Sequence, residues 1–123
     1  MGKKNRVLIV EDDVFLSDIC SHQLTAEGME VEVAFNGIEG MKAITKQRPD
    51  IMILDLIMPG VSGFDLLEKI SNKGRLDFPV ITLTNLGQDE DRKRVKTLGC
   101  EIYLVKTSVS IDEVVAYVKK QLK

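Results

Sequence analysis

Short apolar runs rich in Val, Ile and Leu alternate along the chain with longer segments whose apolar residues recur at helical spacing. Residues 7–10 form a continuous apolar run, the pattern of a strand covered on both faces. From Asp13 onward Leu16, Ile19, Cys20 and Leu24 repeat as a helical stripe, and Gly28 supplies the stop. Val31 and Val33, interleaved with glutamates, mark a short, partly exposed edge strand. Asn36 predicts the N-cap of a helix carrying Ile38, Met41 and Ile44, which ends before Pro49. Residues 51–54, 80–83 and 102–105 are the third, fourth and fifth strands. Between them 64–70 and 89–98 read as helices, the latter closed by Gly99. Ser110 to Glu113 is a capping box opening a final helix with Val114, Val115 and Val118 on its apolar face.

Five β-then-α units thus follow one another without a linker. Parallel crossovers need a helix and are right-handed, so the expected fold is α/β: a doubly wound sheet of five parallel strands with helices on both faces. It forms a single domain over residues 1–123, with no internal repeat and no output domain within the chain. In such a sheet ligands collect beyond the carboxyl ends of the strands.

Composition narrows the function classes. A chain of 123 residues with 44% hydrophobic and 29% charged residues can build one ordinary core. Seventeen Lys+Arg against nineteen Asp+Glu leave a net charge of −2, which speaks against nucleic acid as the main partner. The basic cluster of Arg92, Lys93, Arg94 and Lys96 lacks the interleaved aromatics of a single-strand binder. Cys20 and Cys100 are far apart and His22 is the only histidine, so no structural zinc site can be assembled. Both cysteines read as buried, reduced thiols of a cytoplasmic protein. The residues from Met1 to Arg6 are charged and lack a signal peptide's apolar stretch. Gly2 is no myristoylation signal, because Arg6 stands where Ser or Thr is wanted. The longest apolar candidate, 51–58, is broken by Asp55, so no membrane span is expected.

Strand one ends in Glu11, Asp12 and Asp13, strand three in Asp55, strand four in Thr84 and strand five in Lys106, all toward one rim. Singly, each has an ordinary explanation: acids cap helices, threonines end strands and lysines are solvated. Their convergence is what points to chemistry. Carboxylates at Glu11, Asp12 and Asp55 would repel one another unless one is protonated or a cation intervenes. Oxygen-only ligands favour Mg²⁺, and three negative charges met by Mg²⁺ and Lys106 sum to zero, leaving a site able to receive a phosphoryl group. Asp55 is then the candidate nucleophile, since a carboxylate can attack phosphorus to form an aspartyl-phosphate.

Over its whole length the sequence resembles the receiver domain of two-component response regulators, the CheY-like family. The residues that carry the resemblance are Val10 to Asp13, Asp55 to Gly60 with Gly63, Val80-Ile81 through Thr84, and Tyr103 to Lys106. The resemblance implies a (βα)5 flavodoxin-like sheet with strand order 2-1-3-4-5. It implies that Asp55 takes phosphate from the phosphohistidine of a histidine kinase or phosphotransfer protein. Glu11, Asp12, Asp55 and the Ile57 backbone carbonyl would hold Mg²⁺, and Lys106 would pair with a phosphoryl oxygen. Thr84 would swing its hydroxyl onto another oxygen while Tyr103 moves inward, changing the face of the last two helices and fifth strand for a downstream protein target. The chain would catalyse only its own phosphorylation and dephosphorylation, as a monomer or a phosphorylation-promoted dimer. Helix 89–98 is almost wholly charged, with Val95 and Leu98 its anchors, and is the expected reporter of the change. Its expected surface pairs are Asp89 with Lys93 and Glu90 with Arg94. Val14 and Phe15, off the first helix's stripe, form the expected docking pair for the kinase. Ser108 and Ser110 read as caps.

Three departures stand out. Thr107, not proline, follows Lys106, which removes the usual reason for a cis peptide there. Asn85 replaces the usual small residue after the threonine. Ile57 and Leu86, each two positions beyond a site residue, cannot orient an attacking water, so self-dephosphorylation is expected to be slow. Rival readings fare worse. A phosphatase of the haloacid-dehalogenase type needs a second acid where Ile57 stands, and an FMN phosphate would be repelled by the acidic first loop. A degenerate receiver serving as a phosphorylation-independent interaction module is the remaining alternative, opposed by the intact set Glu11, Asp12, Asp55, Thr84 and Lys106.

Overall fold

The structure, a computed structural model, describes residues 3–123; the sequence readings made of Met1 and Gly2 lie outside them. Five strands, β1 (Arg6–Val10), β2 (Glu30–Ala34), β3 (Ile51–Leu54), β4 (Val80–Thr84) and β5 (Ile102–Val105), alternate with α1 (Val14–Ala26), α2 (Gly37–Lys46), α3 (Gly63–Ile70), α4 (Asp89–Thr97) and α5 (Ile111–Gln121). Every pairing is parallel and the order is β2-β1-β3-β4-β5, a CheY-like flavodoxin fold, as the pattern and the resemblance led us to expect.

The apolar runs of the central strands feed two cores because successive side chains point to opposite faces. Leu8, Val10, Met52, Leu54 and Val80 face one way and pack with Ala43, Phe64, Leu66, Leu67 and Val95 of α2, α3 and α4. Val7, Ile9, Ile51, Ile53, Ile81 and Leu83 face the other way, against Cys20 and Leu24 of α1 and Val114, Val115 and Val118 of α5. Strand β2 is the half-buried edge expected from its glutamates, and Arg6 of β1 pairs with both Glu30 and Glu32 across the register at 3.1 Å.

The helix ends follow local chemistry. Asp13, Asn36, Ser62 and Ser110 each accept a backbone N–H as N-caps, the last two in full capping boxes. Gly28 (φ 89°) and Gly99 (φ 107°) take the left-handed backbone that ends α1 and α4. Ser108 is not a cap: it lies in a 3-10 turn, Lys106–Ser108, whose peptides, like all those described, are trans.

The stripe on α1 needs correction. Its buried residues are Ser17, Cys20 and Leu24, whereas Ile19 is 48% exposed. The Ser17 hydroxyl donates to Val14 O at 3.1 Å, so a small, internally satisfied polar residue takes the position against the sheet. Ile38, expected on the inner face of α2, is likewise exposed, that face being made by Gly37, Gly40 and Ala43. Both cysteines are buried and free, and burial pushes the Cys20 thiol up to about 11. Among the described residues no helix is long and apolar enough to cross a membrane.

Candidate functional site

The register of the sheet assembles the rim. Val10 pairs with Leu54 and Thr84 with Val105, so the residues just beyond, Glu11, Asp55 and Lys106, emerge side by side. Asp55 N–H donates to Val10 O at 3.0 Å, the last rung joining the two acidic strand ends. Gly63 fixes the loop that follows: its N–H donates to Leu56 O at 3.0 Å, and its Cα packs directly on the Asp55–Leu56 backbone.

Lys106 Nζ bridges two buried carboxylates, 2.7 Å from Glu11 Oε1 and 2.9 Å from Asp55 Oδ2. Each acid spends its other oxygen on a backbone N–H: Asp13 N–H to Glu11 Oε2 at 3.0 Å and Ile57 N–H to Asp55 Oδ1 at 3.2 Å. Buried charge is tolerated only with such pairing. Burial pushes the Glu11 carboxyl up to about 7, against the pull of Lys106 and the Asp13 N–H and with the Asp55 charge adding to the rise. Burial works against the charge of Lys106 too, but the two carboxylates outweigh it and its pKa is raised.

Asp12 is exposed beside them, and ligand atoms of Glu11, Asp12 and Asp55 lie within 4.8 Å of one another. With all three acids ionised, three carboxylates against one ammonium leave two uncompensated negative charges, and the set offers oxygen donors alone. That donor set fits a hard divalent cation, so the acidic pocket could hold a metal. It opens into a cleft of about 250 Å³ lined also by Asp13, Ile57 and Asn85. Asp13 has a second role there, accepting Leu16 N–H at 3.2 Å as the α1 cap. Asn85, directly after Thr84, is exposed where it lines the cleft.

Of the remaining expected residues only Ile57 lines this cleft. Thr84 is fully buried at the end of β4, and its Oγ1 accepts Leu86 N–H at 3.4 Å. Tyr103 is half-buried, and its hydroxyl donates to Leu86 O at 2.7 Å. Ile57 lines the cleft with its side chain more than half exposed, but Leu86 packs on the core beneath and is absent from the lining. Val14 and Phe15 are exposed at the start of α1, Phe15 by 83%, and Ile19, one turn on, extends the patch.

On α4 neither expected ion pair is present. Arg94 instead reaches Glu68 of α3 at 2.8 Å and lies 4.1 Å over the Phe64 ring, while Arg92 lies 4.6 Å over Tyr103. For Arg94, a carboxylate and an aromatic face on α3 outcompete the i,i+4 partner Glu90, whose pull is only a few tenths of a kcal/mol. These contacts were beyond reach of the sequence, since they join residues 11 to 30 positions apart.

The sheet order and the acid–lysine rim define the CheY-like class of α/β domains. A model of the response regulator receiver domain family matches residues 7–119, and the chain belongs to that family, a family of signalling domains. Similar curated proteins include the DNA-binding dual master transcriptional regulator RpaA of Synechocystis, 35% identical over 96% of this chain and 49% of its own length. The phosphate regulon transcriptional regulatory protein PhoB of Rhizobium meliloti is 34% identical over 96% of this chain and 52% of its own. The chain thus spans about half the length of the curated relatives it matches. Among solved structures, a CheY-like receiver domain protein from Methanospirillum hungatei superposes with a TM-score of 0.89 at 29% identity, covering 98% of this chain and 94% of its own. The non-phosphorylated HemR receiver domain of Leptospira biflexa gives 0.87 at 29% identity over 98% and 95%.

Proposed function

We propose that this receiver accepts one phosphoryl group on an Asp55 carboxylate oxygen from the phosphohistidine of a histidine kinase or phosphotransfer protein. The observation that carries the reading is the buried Asp55, held between Lys106 Nζ and the Ile57 N–H at the open cleft of a receiver fold. An Asp55 oxygen attacks phosphorus, the O–P bond forms as the P–N bond breaks, and the departing imidazole takes a proton from solvent. The Ile57 N–H and Lys106 fix the carboxylate for attack, and Lys106 then offsets charge on a phosphoryl oxygen. Glu11, Asp12, Asp55 and the Ile57 carbonyl are the residues that would hold Mg²⁺. When bound, the ion supplies the two positive charges the acids lack and neutralises phosphoryl oxygens.

Thr84 and Tyr103 form the switch. The new phosphoryl oxygens draw the Thr84 hydroxyl, and Tyr103 readjusts in the space beside it, altering the face built by α4, β5 and α5 for a downstream protein. Val14 and Phe15 offer the kinase an apolar docking patch beside the acid cleft. In this reading the domain works in the cytoplasm, as a monomer or a phosphorylation-promoted dimer.

The test is intact mass after incubation with acetyl phosphate and Mg²⁺, wild type against Asp55→Asn. One phosphoryl on the wild type alone is expected. No addition from either the small donor or a panel of phosphorylated histidine kinases overturns the reading and leaves a phosphorylation-independent interaction module.

A further inference from the structure

Helix α4 is held unevenly along its length. Val95 is its one buried residue, and Gln88 at its N-cap contributes no side-chain hydrogen bond. The C-terminal half is nevertheless clasped. Arg94 pairs with Glu68 and covers Phe64, and Ser71 Oγ–H donates to Leu98 O at 2.7 Å. The α3–β4 connection adds a tight hairpin in which Asn72 and Arg75 exchange backbone bonds of 2.8 and 3.0 Å around Lys73 (φ 55°) and Gly74 (φ 79°). This hairpin presses on the helix end: a Cβ on Gly74 would stand 2.9 Å from Thr97 O, and one on Gly99 2.9 Å from Gly74 O.

The N-terminal half meets the body differently. Arg92 stacks over the Tyr103 ring at 4.6 Å, Tyr103 OH bonds Leu86 O at 2.7 Å, and Leu86 N–H bonds Thr84 Oγ1 at 3.4 Å. The two polar ends of one residue, Leu86, therefore join the hydroxyl at the rim to the ring that carries Arg92. The 3.4 Å link is long and so is readily exchanged for a better acceptor. Cation stacking at an exposed site is also weak, which suits a contact that must make and break.

We propose that Arg92 is the positioning residue through which the Thr84–Leu86–Tyr103 chain sets the place of the first half of α4, the second half being the fixed end about which it moves. The inference rests on the reading of Thr84 and Tyr103 as the switch, and it adds the Arg92 contact and a pivot. When Thr84 turns toward the cleft, Leu86 N–H loses its acceptor, the segment 85–88 loosens, and Arg92 with the ring it covers carries the helix start along. A chain of contacts transmits only if it has two arrangements, and amide exchange reports that directly.

The experiment is site-resolved amide exchange by NMR on the unphosphorylated chain. Asp91 and Arg92 N–H, which donate to Gln88 O, report the helix start; Leu98 and Cys100 N–H, which donate to Val95 O, report the fixed end. Arg92→Ala, and Tyr103→Phe, which keeps the ring but cuts the bond to Leu86, are each expected to raise exchange at 91 and 92 about 3-fold and leave 98 and 100 unchanged. Arg94→Ala is expected to do the reverse, and Arg92→Lys, which keeps a cation over the ring, to restore most of the protection. The Arg92 Cδ protons are expected to be shifted upfield by the ring current in the wild type and to lose that shift in Tyr103→Leu. Equal acceleration along the whole helix, or no change at 91 and 92, overturns the proposal. In protein shown by mass to carry the phosphoryl group, exchange at 91 and 92 rises in the wild type and little further in Arg92→Ala. If Asp55 takes no phosphoryl group, the proposed function fails while the unphosphorylated arms still decide this inference. If it does and 91 and 92 stay protected in the wild type, the inference alone fails.

Discussion

Replacing Gly63 by alanine probes the joint between the fold and Asp55. The added Cβ would lie 2.2 Å from Asp55 O and 2.7 Å from Leu56 Cα, so the two backbones must part by roughly 1 Å to reach ordinary contact. Neither obstacle is a side chain that can rotate away. If α3 retreats, the Gly63 N–H bond to Leu56 O is lost and Phe64, Leu66 and Leu67 shift in the core. If the end of β3 retreats, the Asp55 N–H bond to Val10 O and the Lys106 contact are strained. Overpacking costs about 1–3 kcal/mol and a lost hydrogen bond about 1 kcal/mol, offset by up to about 1 kcal/mol for alanine's helix propensity. The net is about 1–3 kcal/mol, a fall in Tm of roughly 4–12 °C. Urea and thermal unfolding measure it, with Gly40→Ala as control, because there the nearest atoms are methyls of Val10 and Leu66 at 3.2 and 3.3 Å in a helix interior. The control is expected within about 1 kcal/mol of wild type. A Gly63→Ala protein as stable as wild type, or a control that falls equally far, refutes the close-approach argument.

Other consequences follow from the same geometry. Ile57 lines the cleft and Leu86 does not, so Ile57→Asn is expected to shorten the phosphoryl lifetime several-fold, read by mass against time, and an unchanged lifetime counts against the dry-cleft explanation. Phe15 is 83% exposed, so Phe15→Ala should leave Tm within a degree or two and slow transfer from the cognate kinase; unchanged transfer removes it from the docking patch. Glu11 titrates near 7 folded against 4.5 unfolded, so the unfolded chain loses that proton first. Stability of the cation-free protein should therefore fall as pH rises between those values, by at most about 3 kcal/mol, and the slope should vanish in Glu11→Gln. A slope that persists in the variant assigns it to another group. Cys20 and Cys100 are each 2% exposed with raised pKa values, so neither thiol should react with a disulfide reagent until urea unfolds the chain, and rapid labelling of the native protein would contradict their burial.

What could be seen from sequence was whatever is local or periodic. Strands buried on both faces write themselves as unbroken runs such as Val7 to Val10 and Ile51 to Leu54. Caps at Asn36 and Ser110 need only residues three apart. That Glu11, Asp12, Asp55 and Lys106 meet at one rim was legible because a parallel sheet sends each strand's end to one edge. What escaped depends on which neighbour wins. Ile19 is as apolar as a core residue, but Ser17 lies nearer the sheet and satisfies its own hydroxyl, so the buried face turned. Arg94 had Glu90 at ideal spacing and still paired with Glu68, because Phe64 on the same helix offered its face as well.

The rim is no more precise than the register beneath it. Lys106 reaches both Glu11 and Asp55 only because Val10 pairs with Leu54 and Thr84 with Val105. A slip of one residue in β3 would exchange its two faces, sending Met52 and Leu54 into the core that now holds Ile51 and Ile53. Both cores are filled, so the slip meets resistance on each face at once, and this resistance adds to the bonds from Lys106 and the Ile57 N–H in keeping Asp55 beside Glu11. The apolar runs that specify the sheet therefore hold two carboxylates together against their repulsion. That repulsion is what makes Lys106, and a hard cation beside it, favourable at this edge of the molecule.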